Sequence, residues 1–330
     1  MLEQAIQLGL GANNAHTDGP VENLLVGYYN EEFIADDVMP VILVNKRSDT
    51  YYKLKPEIAY NVPDARISSQ EAMPSRAGAA LDTAGTFSVK DYGLVDFVSN
   101  DEEANADAPL QPQLESEEAL SGFLGLAREI RVAAVVFGSS NYGSNHSALS
   151  GTDRFDNTSS DPAPLILSVL EQPLVRPNTM VIGPDAWRYL RTNTNMIRYI
   201  TGRPGYKGGQ TPLMLDRATV AEAFELNNVF VGRAKYNTAR EGATASYSNV
   251  WGKSMACIRV EKTPSKRRTA NFGYSFRFNR GMGGNGFGVQ RIYSELVGVS
   301  GGTYVKMTHS DDDCVVGGSN VGALRTTVVS

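Results

Sequence analysis

The chain has 330 residues, 42% of them hydrophobic and 20% charged, ordinary values for a globular protein that exclude a disordered one. A single core stops growing at about 250 to 300 residues, so two domains are expected. The formal net charge of −5 and the pI near 5.4 argue against a nucleic-acid clamp, which carries a basic surplus or a basic face.

The opening Met1-Leu-Glu-Gln-Ala lacks a basic region followed by an apolar core, and no run of about 18 apolar residues follows anywhere, so neither secretion nor membrane spanning is expected. Residues 1–45 mix a short apolar opening (Leu2, Ile6, Leu8, Leu10), a polar turn at 13–20, a helix-like stretch at 21–29 and a strand-like one at 38–44. Such a mixture suits an arm that packs on something else. Over 46–95, strand fragments at 50–54 and 86–90 flank about thirty residues rich in Pro, Ser, Ala and Arg. A loop of that length is functional or is held by a partner. Tyr51, Tyr52, Leu54 and Phe87 lie on these fragments, which read as too isolated to bury them within the subunit, so they are candidate contacts with a neighbour.

Pro109 and Pro112 introduce the longest helical pattern, with Leu120, Phe123, Leu124, Ala127, Ile130, Ala134 and Phe137 recurring at three and four residues. Glu115, Glu117 and Glu118 fill its first turns, where the helix dipole favours negative charge, and Gly138 stands where a C-cap would. Roughly 25 residues would form a rod of about 37 Å. A polar link at 139–163 leads into a helix and strand alternation at 165–170, 219–226 and 229–233, which reads as an α/β second domain. From Trp251 onward the chain reads mainly as strands, including 302–308 and 321–329.

Within the second domain, residues 178–200 join a short buried strand to helical turns through a Gly-Pro corner. Thr179 to Ile182 is apolar and β-branched, as in a strand buried on both faces. Pro184 has no N–H to lose at a helix start, and Asp185 suits the positive end of the dipole, so Trp187, Leu190 and Arg191 begin a short helix. Met196, Ile197 and Ile200 supply a second apolar face. Alone, the segment would suit the core of many α/β enzymes. Together with Trp251-Gly-Lys and Phe272-Gly-Tyr-Ser-Phe-Arg-Phe, it closely resembles the signatures of tailed-phage major capsid proteins, the shell-building family with the HK97-type fold.

That resemblance implies an α+β capsid fold in five parts: an N-terminal arm (1–45), an extended two-stranded loop lying over the neighbouring subunit (46–95), a peripheral domain with a spine helix (96–163), an axial domain (164–250) and closing strands (251–330), mostly peripheral with part of the axial domain. It implies a coat protein that forms hexamers and pentamers of itself in an icosahedral shell, assembled in the host cytoplasm around double-stranded DNA without sequence-specific binding or any membrane. A portal and decoration proteins are the family's further partners. The long acidic or helical extension that some relatives use as a built-in scaffold is not seen ahead of the arm, which suggests a separate scaffolding protein, or none. An encapsulin-like compartment is the alternative within the fold, and a nucleotide-dependent enzyme the alternative outside it. Some relatives join a loop lysine to an asparagine of another subunit; Lys46, Lys53 and Lys55 are available, but nothing in the sequence identifies the asparagine or the assisting acid, and cross-linking is not expected.

No catalytic residue, cofactor or metal is expected. Gly281, Gly283 and Gly286 spell a dinucleotide fingerprint, yet the following residues alternate like a strand where the fingerprint needs a helix. Gly298, Ser300 and Gly302 spell a nucleophile elbow with the same defect. His16, His146 and His309 form no metal-type spacing, and Asp311-Asp-Asp313 reads as a solvated turn. Cys257 and Cys314, the only cysteines, read as reduced thiols. Eight acids and no base lie over 96–118, while seven bases and one acid lie over 259–280. These patches invite head-to-tail contact between copies, with Asp101, Glu102 and Glu103 facing Lys266, Arg267 and Arg268.

Overall fold

The computed structural model describes residues 33–54, 60, 81–106, 111–202, 214–240, 242–263, 270–279 and 287–330. The stretch at 21–29 that reads as helix-like, most of residues 55–80, including Lys55, and Lys266, Arg267, Arg268 and the Gly281–Gly286 motif lie outside them. The chain enters through a one-turn helix α1 (Ala35–Val38) and continues as β1 (Val41–Val44). A single strand over 38–44 is therefore corrected. Pro40 divides it: Met39, the residue before that proline, adopts φ −123° and ψ 90° and ends the helix with its N–H on Ala35 O. An antiparallel ribbon follows, β2 (Ser48–Leu54) against β3 (Leu81–Ser88), with an irregularity between Tyr51 and Tyr52.

Next come β4 (Lys90–Ser99), α2 (Asn100–Asn105) and the 25-residue α3 (Pro112–Val136). This long helix starts on Pro112, as predicted. Its end differs: Gly138 has φ −71°, so no left-handed cap is present, and Phe137 closes the last turn on Ala133 O. The remainder comprises β5 (His146–Ala148), α4 (Pro162–Glu171), β6 (Thr179–Ile182), α5 (Pro184–Thr192), α6 (Thr194–Thr201), α7 (Arg217–Ala223), β7 (Asn228–Val231), β8 (Lys235–Asn237), β9 (Tyr247–Asn249), β10 (Met255–Ile258), β11 (Gly273–Phe278), β12 (Phe287–Ser294), β13 (Gly302–Val315) and β14 (Gly322–Thr326).

Two five-stranded sheets organise these elements. In the first, β13 is long enough to pair with β4 along one edge and with β12 and then β11 along the other, and β1 adds in parallel to β11. The second runs β5-β14-β10-β6-β7. The closing strands thus divide: β11, β12 and β13 join the first sheet, while β10 and β14 complete the second.

Strand β6 is buried on both faces, as its composition predicts. Met180 and Ile182 face a core built with α4, α5, α6 and α7. Val181 faces the other way, into a core shared with Val132 and Val136 of α3, Trp251 and Phe272. The same alternation splits Cys257 from Ala256 and Ala323 from Leu324. At the corner after β6, a Cβ on Gly183 would lie 1.9 Å from Gly252 O; only glycine allows that approach. Pro184, Asp185 and Arg191 then take the helix positions their chemistry favours.

Candidate functional site

The β2–β3 ribbon is clamped at its base. Phe87 stacks on Phe276 of β11 at 4.7 Å between centroids, Tyr51 meets the same ring at 5.4 Å, and the Tyr51 hydroxyl donates to Val315 O at 3.2 Å. Burial, followed by the charges of Cys314 and Asp312, raises that phenol to about 12, so it remains a donor. Ser88 N–H donates to Asp312 Oδ2 at 2.9 Å, and Arg47 pairs with Asp91. Phe87 is buried within its own subunit, which corrects the expectation that Tyr51 and Phe87 lack intramolecular partners. The β11 strand supplies the aromatic surface that the ribbon alone cannot. The side chains of Tyr52, Lys53 and Leu54 lie outside the described set. Tyr60 is exposed and donates to Leu174 O at 3.3 Å.

Behind the clamp lies a buried charge network that sequence reasoning missed. Asp311 sits inside β13, 1% exposed, not in a solvated turn. It accepts from Arg128 Nε at 3.2 Å and from Arg131 Nη2 at 2.9 Å, both from α3, and lies 3.7 Å from Arg277 Nη2 of β11. Arg128 also donates to Ser275 Oγ at 3.0 Å and pairs with Asp36 of α1, while Asp313 pairs with Arg131 at 3.8 Å. His309 is enclosed beside Arg131 and Asp311. Burial, reinforced by Arg277, Arg131 and Arg128, lowers its pKa to about 3, so the imidazole is neutral. Burial likewise lowers Arg277 to about 10 and raises Asp313. Three guanidiniums thus face three carboxylates across α1, α3, β11 and β13. The sequence signal was present in the three arginines and in the aspartate run, but Asp311 meets Arg131 and Arg128 across 180 and 183 positions of the chain.

A second buried carboxylate anchors the entering chain. Glu129 of α3 accepts from Ile34 N–H at 3.0 Å, Ala35 N–H at 2.9 Å and Trp251 Nε1–H at 2.6 Å. Two of those donors are otherwise unpaired N–H groups at the start of α1, so one side chain joins arm, spine and second core. Burial still raises its pKa despite these bonds.

The two charge patches are partly internal. Glu117 is buried against Arg291, Nε to Oε1 2.6 Å, Asp96 accepts from Ser116 Oγ at 2.7 Å, and Arg277 belongs to the network above. Arg259 pairs with Glu261 at 2.8 Å and Lys262 with Asp37 at 3.3 Å. The expectation of two wholly external patches is corrected accordingly. Asp101, Glu102 and Glu103 remain exposed on α2, where Ser99 Oγ caps the helix by accepting from Glu102 N–H at 3.1 Å.

Strand β12 follows the Gly281–Gly286 loop and strand β13 follows Ser300, so neither motif has the helix its chemistry requires. His146 Nε2 lies 3.1 Å from Thr326 Oγ1, and His16 lies outside the described residues. Cys257 is buried, its thiol pushed up to about 12 by desolvation, and Cys314 Sγ lies 3.3 Å from Asp312 Oδ2.

No family model matches the chain. It is 27% identical over 299 residues to the major capsid protein of Pseudomonas phage JBD67, covering 90% of this chain and 93% of that protein. It is also 27% identical over 279 residues to the major capsid protein of Burkholderia phage BcepMu, covering 79% and 83%. Among solved structures, a phage-related protein from Bordetella bronchiseptica RB50 superposes with a TM-score of 0.69 at 16% identity, over 95% of this chain and 98% of that one. The capsid of cyanophage P-SCSP1u gives 0.56 at 15% identity, over 96% of each. The chain therefore has the HK97-type capsid fold and is a homologue of phage major capsid proteins.

Proposed function

We infer that this chain is a phage coat protein whose copies assemble into the capsid shell. The observation that carries this reading is the 27% identity to a phage major capsid protein along 90% of the chain, because a match of that extent cannot rest on one motif or one sheet. The anchoring of the ribbon supports it. A strand pair fixed at its base by Phe276 and Val315 has a set direction, which favours a repeatable contact with a neighbour.

In this reading the first sheet and α3 form the peripheral part, and the second sheet with α4 to α7 the axial part that meets its symmetry mates in hexamers and pentamers. Tyr52, Leu54, Asp101, Glu102, Glu103, Lys266, Arg267 and Arg268 are the proposed contacts between subunits, with Tyr51 and Phe87 setting the direction of the ribbon. The shell encloses double-stranded DNA without reading its sequence and is built in the host cytoplasm with a portal and a separate scaffolding protein, and its role is structural, not catalytic. Size-exclusion chromatography with light scattering, followed by negative-stain imaging, tests the assembly. Closed particles are expected, and a stable monomer across the micromolar range at low salt would overturn the reading. Nuclease-protected double-stranded DNA inside native particles marks a phage shell, whereas packaged protein would mark an encapsulin-like compartment.

A further inference from the structure

Strand β4 forms one edge of the first sheet. It pairs with β13 in unbroken antiparallel register, Lys90 to Ser99 against Asp311 to Gly302, and among the described residues no strand pairs with its other side. One bond fixes which residues face that side. Asn100 N–H donates to Gly301 O at 3.1 Å, one step beyond the same register, so the even-numbered residues of β4 bond to β13 and the odd-numbered ones turn their N–H and C=O groups away. Towards the two ends the outward N–H groups are already used: Val89 donates to Arg47 O at 2.8 Å, and Phe97 to Asp96 Oδ1 at 2.9 Å. Between them, Gly93 and Val95 hold out main-chain groups with no partner among the described residues.

An open edge is a template for another strand, and charge, proline or a bulge is the usual protection against it. The middle of β4, Tyr92-Gly-Leu-Val95, has none of these, and Leu94 and Val95, on opposite faces, are 40% and 58% exposed. The open run is also symmetric about Gly93. Val89 and Phe97, which close it, are equidistant from that residue, and so are Lys90 and Asp96, which are exposed and oppositely charged. The Asp96 carboxylate is held in place by accepting from Ser116 Oγ and Phe97 N–H. A second β4 turned end for end about Gly93 sets Gly93 against Gly93 and Val95 against Asp91 as hydrogen-bonded pairs. It sets Tyr92 against Leu94, and Lys90 against Asp96 twice over, in the non-hydrogen-bonded pairs where side chains come closest. Moving the axis by one residue puts Lys90 opposite Leu94 or Val98 and loses both ion pairs. The edge is therefore complementary to itself in one register.

We propose that β4 is an interface between two copies of this chain, joined by antiparallel pairing of their β4 strands about a two-fold axis at Gly93. The contact is isologous and closes on itself; it rests on the coat reading in that copies must associate. Its test is disulfide mapping on full-length protein. Lys90→Cys and Asp96→Cys are made in separate chains, mixed before assembly and oxidised with copper phenanthroline, and the links are read by peptide mapping so that Cys257 and Cys314 are scored separately. Such a pair stands about 4.5 Å apart between Cα atoms, within the roughly 4.4 to 6.8 Å that a disulfide spans. The 90–96 disulfide is expected to be at least tenfold more abundant than the 90–90 and 96–96 ones. A charge reversal on the otherwise native chain guards against damage by the cysteines: Lys90→Glu is expected to cut the sedimenting assembled fraction at least tenfold, and the further change Asp96→Lys to restore it. Closed particles lacking the 90–96 disulfide would overturn the pairing and leave the coat reading standing, whereas that disulfide in a soluble dimer that never forms particles would support the pairing and count against the coat reading. A dominant 94–94 disulfide in a Leu94→Cys chain would overturn the proposal by moving the axis, and failure of the double reversal to restore assembly would overturn the charge register.

Discussion

At the residue scale, one buried acceptor and one buried imidazole carry the sharpest consequences. Replacing Glu129 by alanine strands the Ile34, Ala35 and Trp251 N–H groups away from water, and an unsatisfied buried donor costs about 1 to 3 kcal/mol. Glu129→Ala is therefore expected to lose at least about 3 kcal/mol in urea denaturation, and Glu129→Gln, whose amide oxygen still accepts, clearly less. His309 gives a pH dependence of definite sign. Its pKa is about 3 when folded, against 6.5 for an unperturbed histidine, so between these values the unfolded chain binds the extra proton and stability falls as pH falls, by at most about 1.4 kcal/mol per pH unit. The raised Asp313 and Glu129 act in the opposite sense, since their contribution is lost as pH rises. Arg131, Arg277, Asp311 and the Tyr92 ring face the imidazole. Comparison with His309→Gln cancels the carboxylate effects: the variant is expected to show a shallower loss of melting temperature from pH 6.5 downward, and an identical profile would rule out His309 as the source. None of this was legible in the sequence. An aspartate run with a nearby histidine reads as polar surface until β13 is known to lie between β4 and β11.

At the scale of elements, the local grammar was readable wherever it was self-contained. The Gly183-Pro184-Asp185 corner, the start of α3 at Pro112 and the two-faced β6 all follow from side-chain chemistry within a few residues. Misreadings arose where another element decided the outcome. Phe123 and Ile130 fit the period of a core helix, yet they face outward because Arg128, Glu129 and Arg131 turn inward to partners on α1, β11 and β13. Phe87 read as stranded because its partner, Phe276, lies far along the chain. The corner is testable: Gly183→Ala drives a Cβ against Gly252 O and should cost about 3 kcal/mol, measured as a shift in the urea midpoint without loss of the fold. The ribbon is testable as well. Because β3 begins at Leu81, deleting residues 62–80 spares the paired strands and the aromatic clamp. That deletion is expected to leave the melting temperature nearly unchanged while abolishing particles in negative stain; unfolding of the subunit would show that the loop belongs to its own core.

At the scale of the whole molecule, order along the chain was more telling than any motif, since the ribbon strands, the long helix, the middle strand and the late strands follow one another in the described residues as the sequence pattern placed them. What order alone could not give is the division of the closing strands between two sheets, because β10 pairs with β6 on one side and β14 on the other, across several tens of residues in each case. The same global view bears on whether subunits become covalently joined. A lysine attacks an amide only as the free amine, which requires surroundings that lower its pKa. Lys46 has the opposite setting: it is exposed, its Nζ lies 2.9 Å from Asp49 Oδ2, and that hydrogen bond raises its pKa. Lys53, on β2, and Lys55 belong to a stretch of sequence whose composition, rich in Pro, Ser, Ala and Arg, supplies no apolar enclosure of its own. Mature particles are therefore expected to give a single band near 35.7 kDa on denaturing gels after boiling and reduction. A ladder of multimers surviving that treatment would instead require a neighbouring subunit to bring a desolvating surface and a carboxylate to one of these lysines, and Lys53→Arg and Lys55→Arg variants would then identify which one reacts.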